Sequence, residues 1–245
     1  MPSAAITVSV VSHGHDAWLA DLLQLLAQTG EGCIAELRIT HNLAPSSPLP
    51  SGPWPFRLVE SCNPRPQGFG ANHNQALHGV ATPLLAVLNP DISAMEPGFW
   101  PLLAQAVQRD GAGCAFPRLL NLDGSVQDNA RAVPTPLALA RRRLLRLPDQ
   151  RVDWASAACW VVPTAIFRQL GGFDTRYFMY CEDVDFCLRL QLCGQRLLQV
   201  PQARAVHAAQ RSSLAGGQHL RWHLQSLWRL WTSSTLMKYL WHRSR

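Results

Sequence analysis

The chain almost lacks lysine: the basic residues number 22, and only Lys238 among them is not arginine. A Walker-type phosphate loop needs a lysine beside its glycines, so that class of nucleotide enzyme is disfavoured. Long apolar runs are also missing, and none approaches the roughly 18–20 residues that span a bilayer. The opening stretch Ile6–Val11 is too short for a signal-peptide core and has no basic segment before it. It reads as a first strand, and a cytoplasmic protein is the expectation. Cysteine pairs are absent too. The seven cysteines at 33, 62, 114, 159, 181, 187 and 193 are odd in number and scattered, with no C-x-x-C. That argues against a zinc site or a disulfide framework, and for reduced thiols packed as small hydrophobes.

Charged residues are sparse at 16%, against 47% hydrophobic, so the 245 residues can fill a sizeable core. The formal charge is +6, which suits phosphates, nucleic acid or an anionic membrane. Its placement matters more. Arg141, Arg142, Arg143 and Arg146 cluster within six residues, and five more basic residues lie between Arg221 and Arg245. Leu220, Leu224, Leu227, Trp228 and Trp231 fall on one face of a helix, with Arg221 and Arg229 outside the stripe. This pattern fits a seat on anionic lipid, or equally a helix packed on the core or a partner subunit.

Along the chain, strands are expected at Ile6–Val11, Leu37–Thr40, Arg57–Glu60, Leu84–Leu88, Gly113–Pro117 and Leu197–Val200, with another apolar segment at Ala157–Val162. Helices are expected from Trp18 to Leu26 and at Ala71–Val80, Phe99–Arg109, Thr164–Leu170 and Glu182–Cys193. Ala44–Pro55 is a proline-rich loop, and Ala130–Arg151 reads as irregular or partly helical. Such alternation predicts an α/β domain whose mostly parallel sheet is covered by helices on both faces. One domain over residues 1–215 with an amphipathic helical extension over 216–245 is the economical division.

Four elements can carry chemistry. The strand Leu84–Leu88 runs into Asn89-Pro90-Asp91, which leaves a carboxylate where ligands bind in open α/β sheets. Pro90 cannot extend a ladder, so Asp91 faces a loop or crevice. It suits a hard cation shared with substrate phosphates, or simply caps a turn. Gln67-Gly68-Phe69-Gly70-Ala71-Asn72-His73-Asn74 is a glycine-rich turn entering a helix, whose amides could approach a diphosphate or ribose. It fails the G-x-G-x-x-G fingerprint of dinucleotide enzymes because position 73 is His. Gly171-Gly172-Phe173-Asp174 precedes Tyr177-Phe178-Met179-Tyr180, and then Glu182, Asp183 and Asp185 follow within four residues. Like charges so close raise at least one pKa, which suits a general base. Asp185 stands four residues before Arg189 and reads as a surface ion pair. Finally, His207, with Ser212-Ser213 behind it, follows the last strand, where a metal or phosphate contact is one use and a structural histidine the other.

In order and spacing these four elements resemble family 2 glycosyltransferases, most nearly the rhamnosyltransferase-like branch, over roughly residues 5–213. The resemblance implies a GT-A fold with a single Rossmann-like domain, a nucleotide-diphospho-sugar donor and a divalent cation, Mg or Mn. It further implies inversion at the anomeric carbon and a glycan or lipid-linked acceptor, as in bacterial surface polysaccharide synthesis. By it, Asp183 matches the catalytic base, with Glu182 beside it. Asp91 matches the metal- and diphosphate-binding aspartate, and His207 a histidine completing that site. Ser12 and His13 match the end of the first strand, where the nucleotide base is held. Asn42, Gly68, Phe69, Gly70, Asn72 and Asn89 join the donor-binding set. A peripheral contact with the inner face of the membrane is compatible with it, and nucleic acid is not an expected partner.

Two departures stand out. The family's Asp-Asn after the second strand is here His41-Asn42, and its Ser-Gly-Ala is here Ser156-Ala157-Ala158. The first bears on the nucleotide, and the second adds a methyl that narrows a pocket. The alternatives are a transferase with another donor, such as galactofuranosyl or glucosyl, and a non-catalytic basic binding module on the same fold.

Overall fold

A computed structural model of the chain describes residues 5–30, 32–108, 112–145, 149, 151–208 and 217–243. Arg109, Arg146, Ser212-Ser213 and Arg245 lie outside the described residues, as does the side chain of Arg143.

The chain begins with β1 (Ile6–Ser12), α1 (Asp16–Thr29), β2 (Ile34–His41), β3 (Arg57–Cys62), α2 (Phe69–Leu77), β4 (Leu84–Leu88), β5 (Ile92–Met95), α3 (Phe99–Val107) and β6 (Ala112–Leu120). It continues through β7 (Ala130–Arg131), α4 (Pro136–Leu144), β8 (Trp154–Ala155), β9 (Cys159–Pro163), α5 (Thr164–Gln169) and α6 (Glu182–Leu192). The last elements are β10 (Arg196–His207), α7 (Gln218–Trp231) and α8 (Ser234–Arg243).

Eight strands form one sheet in the order β3-β2-β1-β4-β9-β6-β10-β5, and only β9 and β5 run against the rest. The sheet is covered on both faces, as the alternation of its central strands shows. Leu84, Ala86 and Leu88 of β4 join one core cluster with Leu19, Leu23 and Leu26 of α1 and Phe99 of α3. Leu85 and Val87 point the other way, into a second cluster with Phe167, Phe173, Phe186 and Leu190. A third cluster ties α6 to the C-terminal helices through Val184, Leu188, Leu227, Leu230 and Leu236.

The partly helical reading of residues 130–151 holds, and two other expectations need correction. Ala130–Arg151 contains an ordered helix, α4, capped by the Thr135 hydroxyl with Pro136 at its first position. The short strand expected at Leu197–Val200 extends to His207, so His207 ends a strand rather than following one. Pro201 hid that continuity: it has no N–H to give, and the pairing with β6 shifts register between Val200 and Arg204 before resuming. The stripe on α7 is also divided. Leu227 and Leu230 are buried in the third cluster, and Trp231 Nε1 donates to Pro134 O at 2.8 Å. Leu220, Leu224 and Trp228 remain exposed.

Candidate active site

The parallel strands β1, β2, β4, β6 and β10 end together, which gathers Ser12, Asn42, Asn89–Asp91, the loop after Leu120 and His207 along one edge of the sheet. This is the edge where open α/β sheets bind ligands. Asp91 Oδ1 lies 3.1 Å from His207 Nε2, and both side chains are largely enclosed. The approach is not a hydrogen bond, for Asp91 Oδ1 is a buried oxygen without a partner. Asn89 Nδ2 sits 3.4 Å from the same histidine nitrogen. The main chain ties the pair together, Ala208 N donating to Asp91 O at 2.9 Å. On the far side of the ring, His207 Nδ1 is 2.7 Å from Gln127 Oε1. Nothing in the sequence marked Gln127, because its position depends on how the loop after β6 folds back.

Glu182 and Asp183 stand in the first turn of α6. The helix starts from two consecutive left-handed residues, Tyr180 (φ 72°) and Cys181 (φ 64°). For residues with a Cβ that conformation costs roughly 1–3 kcal/mol each and persists only where the surroundings enforce it. Here α7 enforces it. Tyr180 Oη is 3.0 Å from His219 Nδ1, the Tyr180 ring stacks on His223 at 4.9 Å, and Ser226 Oγ donates to Met179 O at 2.8 Å.

The two acids that follow differ in setting. Glu182 is buried and its Oε2 has no partner. Burial first, and then the neighbouring Asp183 charge, push its carboxyl well above the usual range. Asp183 keeps partial contact with solvent. Burial lifts its pKa to about 6, opposed by N–H donation from Val184 and Ala157 and by the charge of Arg131. Two adjacent carboxyls in this setting oppose joint ionisation. The Ala157 peptide links this turn to the sheet edge. Its amide faces Asp183, and the next carbonyl, Ala158 O, accepts from Asn89 N at 2.8 Å.

Asp185 departs from the surface pair expected. It is buried, and Arg189 Nε donates to its Oδ2 at 2.7 Å while the same guanidinium donates to Leu170 O and Gly172 O. The pair anchors the Gly171-Gly172 turn beneath α6.

The glycine turn serves packing. A Cβ on Gly68 would stand 2.6 Å from Phe178 O, and one on Gly70 would stand 2.6 Å from Phe173 Cβ. Phe69 N donates to Phe178 O, so this amide is not offered to a diphosphate as the sequence suggested. The Phe69 ring packs edge-on against His73 and Phe173. Asn42 and Asn72 are likewise occupied. Asn42 Oδ1 accepts from Gln67 N and Asn63 Nδ2, and its Nδ2 donates to Gln67 O. Asn72 Nδ2 donates to Gln67 O and Gly68 O, and its Oδ1 accepts from Asn63. Both amides therefore hold the turn in shape, and their side-chain polar atoms are turned inward. At the end of β1, Ser12 Oγ accepts from His15 N at 3.0 Å, while His13 is exposed with its Nδ1 3.2 Å from Asn42 Nδ2. His41 is buried, its Nε2 3.2 Å from Glu60 Oε2 on the next strand.

No protein-family model matches the chain. Over 82 residues it is 44% identical to rhamnosyltransferase WbbL of Escherichia coli (strain K12), a stretch covering 33% of this chain and 31% of that protein. Over 160 residues it is 35% identical to N-acetylglucosaminyl-diphospho-decaprenol L-rhamnosyltransferase of Mycobacterium tuberculosis, covering 57% of this chain and 52% of the relative. The matched stretches thus span about a third to a half of these curated relatives. Among solved structures, GalNAc-T7 with UDP, GalNAc and Mn2+ superposes with a TM-score of 0.63 at 16% identity, over 83% of this chain and 43% of that one. At that identity the likeness concerns the fold, which is that of the GT-A glycosyltransferases. By sequence likeness and by fold, the chain is related to the family 2 glycosyltransferases, on their rhamnosyltransferase-like side.

Proposed function

We propose that the chain is an inverting glycosyltransferase that moves a rhamnosyl-like sugar from a nucleotide-diphospho-sugar to a hydroxyl of a glycan or lipid-linked acceptor. The observation that carries this is a carboxylate poised near neutrality, Asp183, whose turn is joined through the Ala157 and Ala158 peptides to the sheet edge that holds the Asp91–His207 pair. An acceptor hydroxyl is a weak nucleophile. Asp183 takes its proton as the oxygen bonds to the anomeric carbon, a contribution of about 10²–10⁴ in rate. The bond from that carbon to the diphosphate breaks on the opposite face, and the nucleoside diphosphate leaves with the electron pair.

Asp91 and His207 fit a divalent cation. An enclosed carboxylate oxygen without a hydrogen bond faces a ring nitrogen at 3.1 Å. Adjacent ligands of an octahedral Mg2+ or Mn2+ stand about 3 Å apart, given bonds of about 2.1 Å. No group of three or more His, Cys, Asp or Glu side chains among the described residues is arranged to hold a metal. Two protein ligands would therefore be completed by diphosphate oxygens and water, an arrangement usual for Mg2+. When bound, the cation supplies positive charge for the departing diphosphate. A protein of the same fold was solved with UDP and Mn2+.

The acceptor side favours contact with an anionic bilayer from the cytoplasmic face. No described helix is long and apolar enough to cross a membrane. Residues 186–245 contain no acidic residue and nine basic ones, and Leu220, Leu224, Trp228, Met237 and Trp241 of α7 and α8 are exposed among them. Failure to sediment with anionic vesicles at low salt refutes this seating.

The function is tested with a thermal-shift panel of nucleotide sugars, each with and without Mn2+. A donor at 100 times its Kd adds about 2.7 kcal/mol of stability. The donor that shifts the protein is then used for transfer, and the anomeric configuration of the product is read by NMR. A protein that no donor stabilises is not this enzyme, and a product that retains configuration removes the base assigned here.

A further inference from the structure

The hydrogen bonds behind His207 have a defined direction. Asp123 is an exposed carboxylate held below its usual pKa by the Ser125 hydroxyl and amide, so it accepts and does not donate. Ser125 Oγ donates to Asp123 Oδ1 at 2.6 Å, and Asn121 Nδ2 donates to Ser125 Oγ at 2.9 Å. That leaves Asn121 Oδ1 as the acceptor for Gln127 Nε2 at 3.1 Å. The Gln127 amide is thereby oriented, its Oε1 facing His207 Nδ1 at 2.7 Å. An amide oxygen can only accept, so His207 Nδ1 must carry the hydrogen.

Backbone bonds fix the loop that carries this chain. Gln127 N donates to Leu119 O at 2.8 Å, Asn121 N to Ser125 O at 2.8 Å, and Gly124 sits in the turn with φ 79°. The last members of the chain are therefore not free to reverse independently of β6.

We infer that Gln127 is a positioning residue: its Oε1 accepts from His207 Nδ1–H and so turns Nε2 toward Asp91 Oδ1. With Nδ1 carrying the hydrogen, the 3.1 Å approach of Nε2 to an Asp91 oxygen that lacks a hydrogen bond has a reason, since the two atoms then face the place of a cation together. A partner on the far nitrogen also fixes the ring plane and raises the basicity of a ligating histidine. The inference rests on reading His207 as a cation ligand, yet its core, the tautomer, is measurable without any cation.

The experiment uses the full chain labelled with 15N at histidine, metal-free at pH 8, where long-range proton–nitrogen spectra report which ring nitrogen is protonated. His207 is assigned by its loss in His207→Gln. The expected result is Nδ1–H in the native protein, the same in Gln127→Glu, which keeps an acceptor there, and a shift toward Nε2–H in Gln127→Met, which does not. Binding of Mn2+ alone, followed by water-proton relaxation, is expected to weaken about 10- to 100-fold in Gln127→Met and less in Gln127→Glu. Native His207 found as Nε2–H, or Gln127→Met retaining Nδ1–H, overturns the inference. A native protein with the Nδ1–H tautomer that binds no Mn2+ refutes the cation reading instead, and leaves Gln127 as the group that sets the tautomer. If Gln127→Met does not fold, Asn121→Ala frees the same amide to turn over, and an unchanged tautomer there is the refuting result.

Discussion

Asp183→Asn should produce an enzyme that is both inactive and more stable, and the gain should depend on pH. The Asp183 carboxyl stands at about 6 against an ordinary value of 3.8. A raised carboxyl pKa means that the folded state prefers the protonated form. Native stability is therefore undiminished below the unfolded pKa and falls as pH rises through about 6. Integrated over that interval, ionising Asp183 costs about 3 kcal/mol at pH 7.5 and only about 0.5 kcal/mol at pH 4. Partial contact of the side chain with solvent trims the first figure toward about 1–2 kcal/mol. Asparagine keeps the oxygen that accepts from Val184 N at 2.8 Å, so the turn is preserved and the charge alone is removed. For a domain of this size each kcal/mol moves Tm by about 2–4 °C, and the variant should melt several degrees above the native protein at pH 7.5. At pH 4 the two should melt nearly together. Transfer should fall by about 10²–10⁴ while donor affinity is nearly unchanged, and native kcat/KM should rise with pH through about 6. Scanning fluorimetry at the two pH values and a transfer assay with labelled donor measure both halves. An Asp183→Asn variant that transfers sugar, or one that is destabilised equally at both pH values, refutes the reasoning.

Asp91→Asn keeps the side-chain shape but removes the anionic ligand, so Mn2+-dependent donor binding should weaken at least tenfold while Tm holds; titration calorimetry with and without Mn2+ decides it. Asp185→Asn should cost about 2 kcal/mol or more, because it leaves the Arg189 guanidinium short of its buried anion. Denaturant unfolding measures that, and a change under about 0.5 kcal/mol would show the pair to be as inconsequential as a surface one. Gly70→Ala should destabilise by about 1–3 kcal/mol despite the better helix propensity of alanine, since its methyl meets Phe173 Cβ at 2.6 Å. If Gly70→Ala instead raises Tm, α2 shifts freely and the glycine serves something other than packing.

The architecture was legible because period and burial agree. Leu84–Leu88 reads as a continuous apolar strand, and every one of its residues is buried between two layers. Where they disagree, the sequence misled. Pro201 broke the apparent end off β10, although a register shift absorbs it. The four residues of β5 are too few and too polar at Ser93 for a pattern to show. For the candidate site, the residue types were visible but their surroundings were not. Asp185 and Arg189 have the spacing of an exposed helix pair, and only the packing of the Gly171-Gly172 turn over them reveals a buried one. Gln127 had no sequence signal, because its role is defined by a ring 80 positions away in the chain.

The glycines and asparagines of the 67–74 segment show how such a motif divides. Gly68 and Gly70 allow close approach to Phe178 and Phe173, and Asn42 and Asn72 lock Gln67 and Gly68 through the main chain. What they brace is the segment that ends in the left-handed residues Tyr180 and Cys181. That turn is held from the other side by His219, His223 and Ser226 of α7. The carboxyls of Glu182 and Asp183 therefore stand between two supports, neither of which need touch a substrate. Strain at the turn favours relaxation of the helix start, and the supports oppose it, so the position of the Asp183 carboxylate depends on both at once. If Asp183 is the base proposed above, α7 supports the catalytic turn mechanically, and a surface that seats α7 would act on that turn.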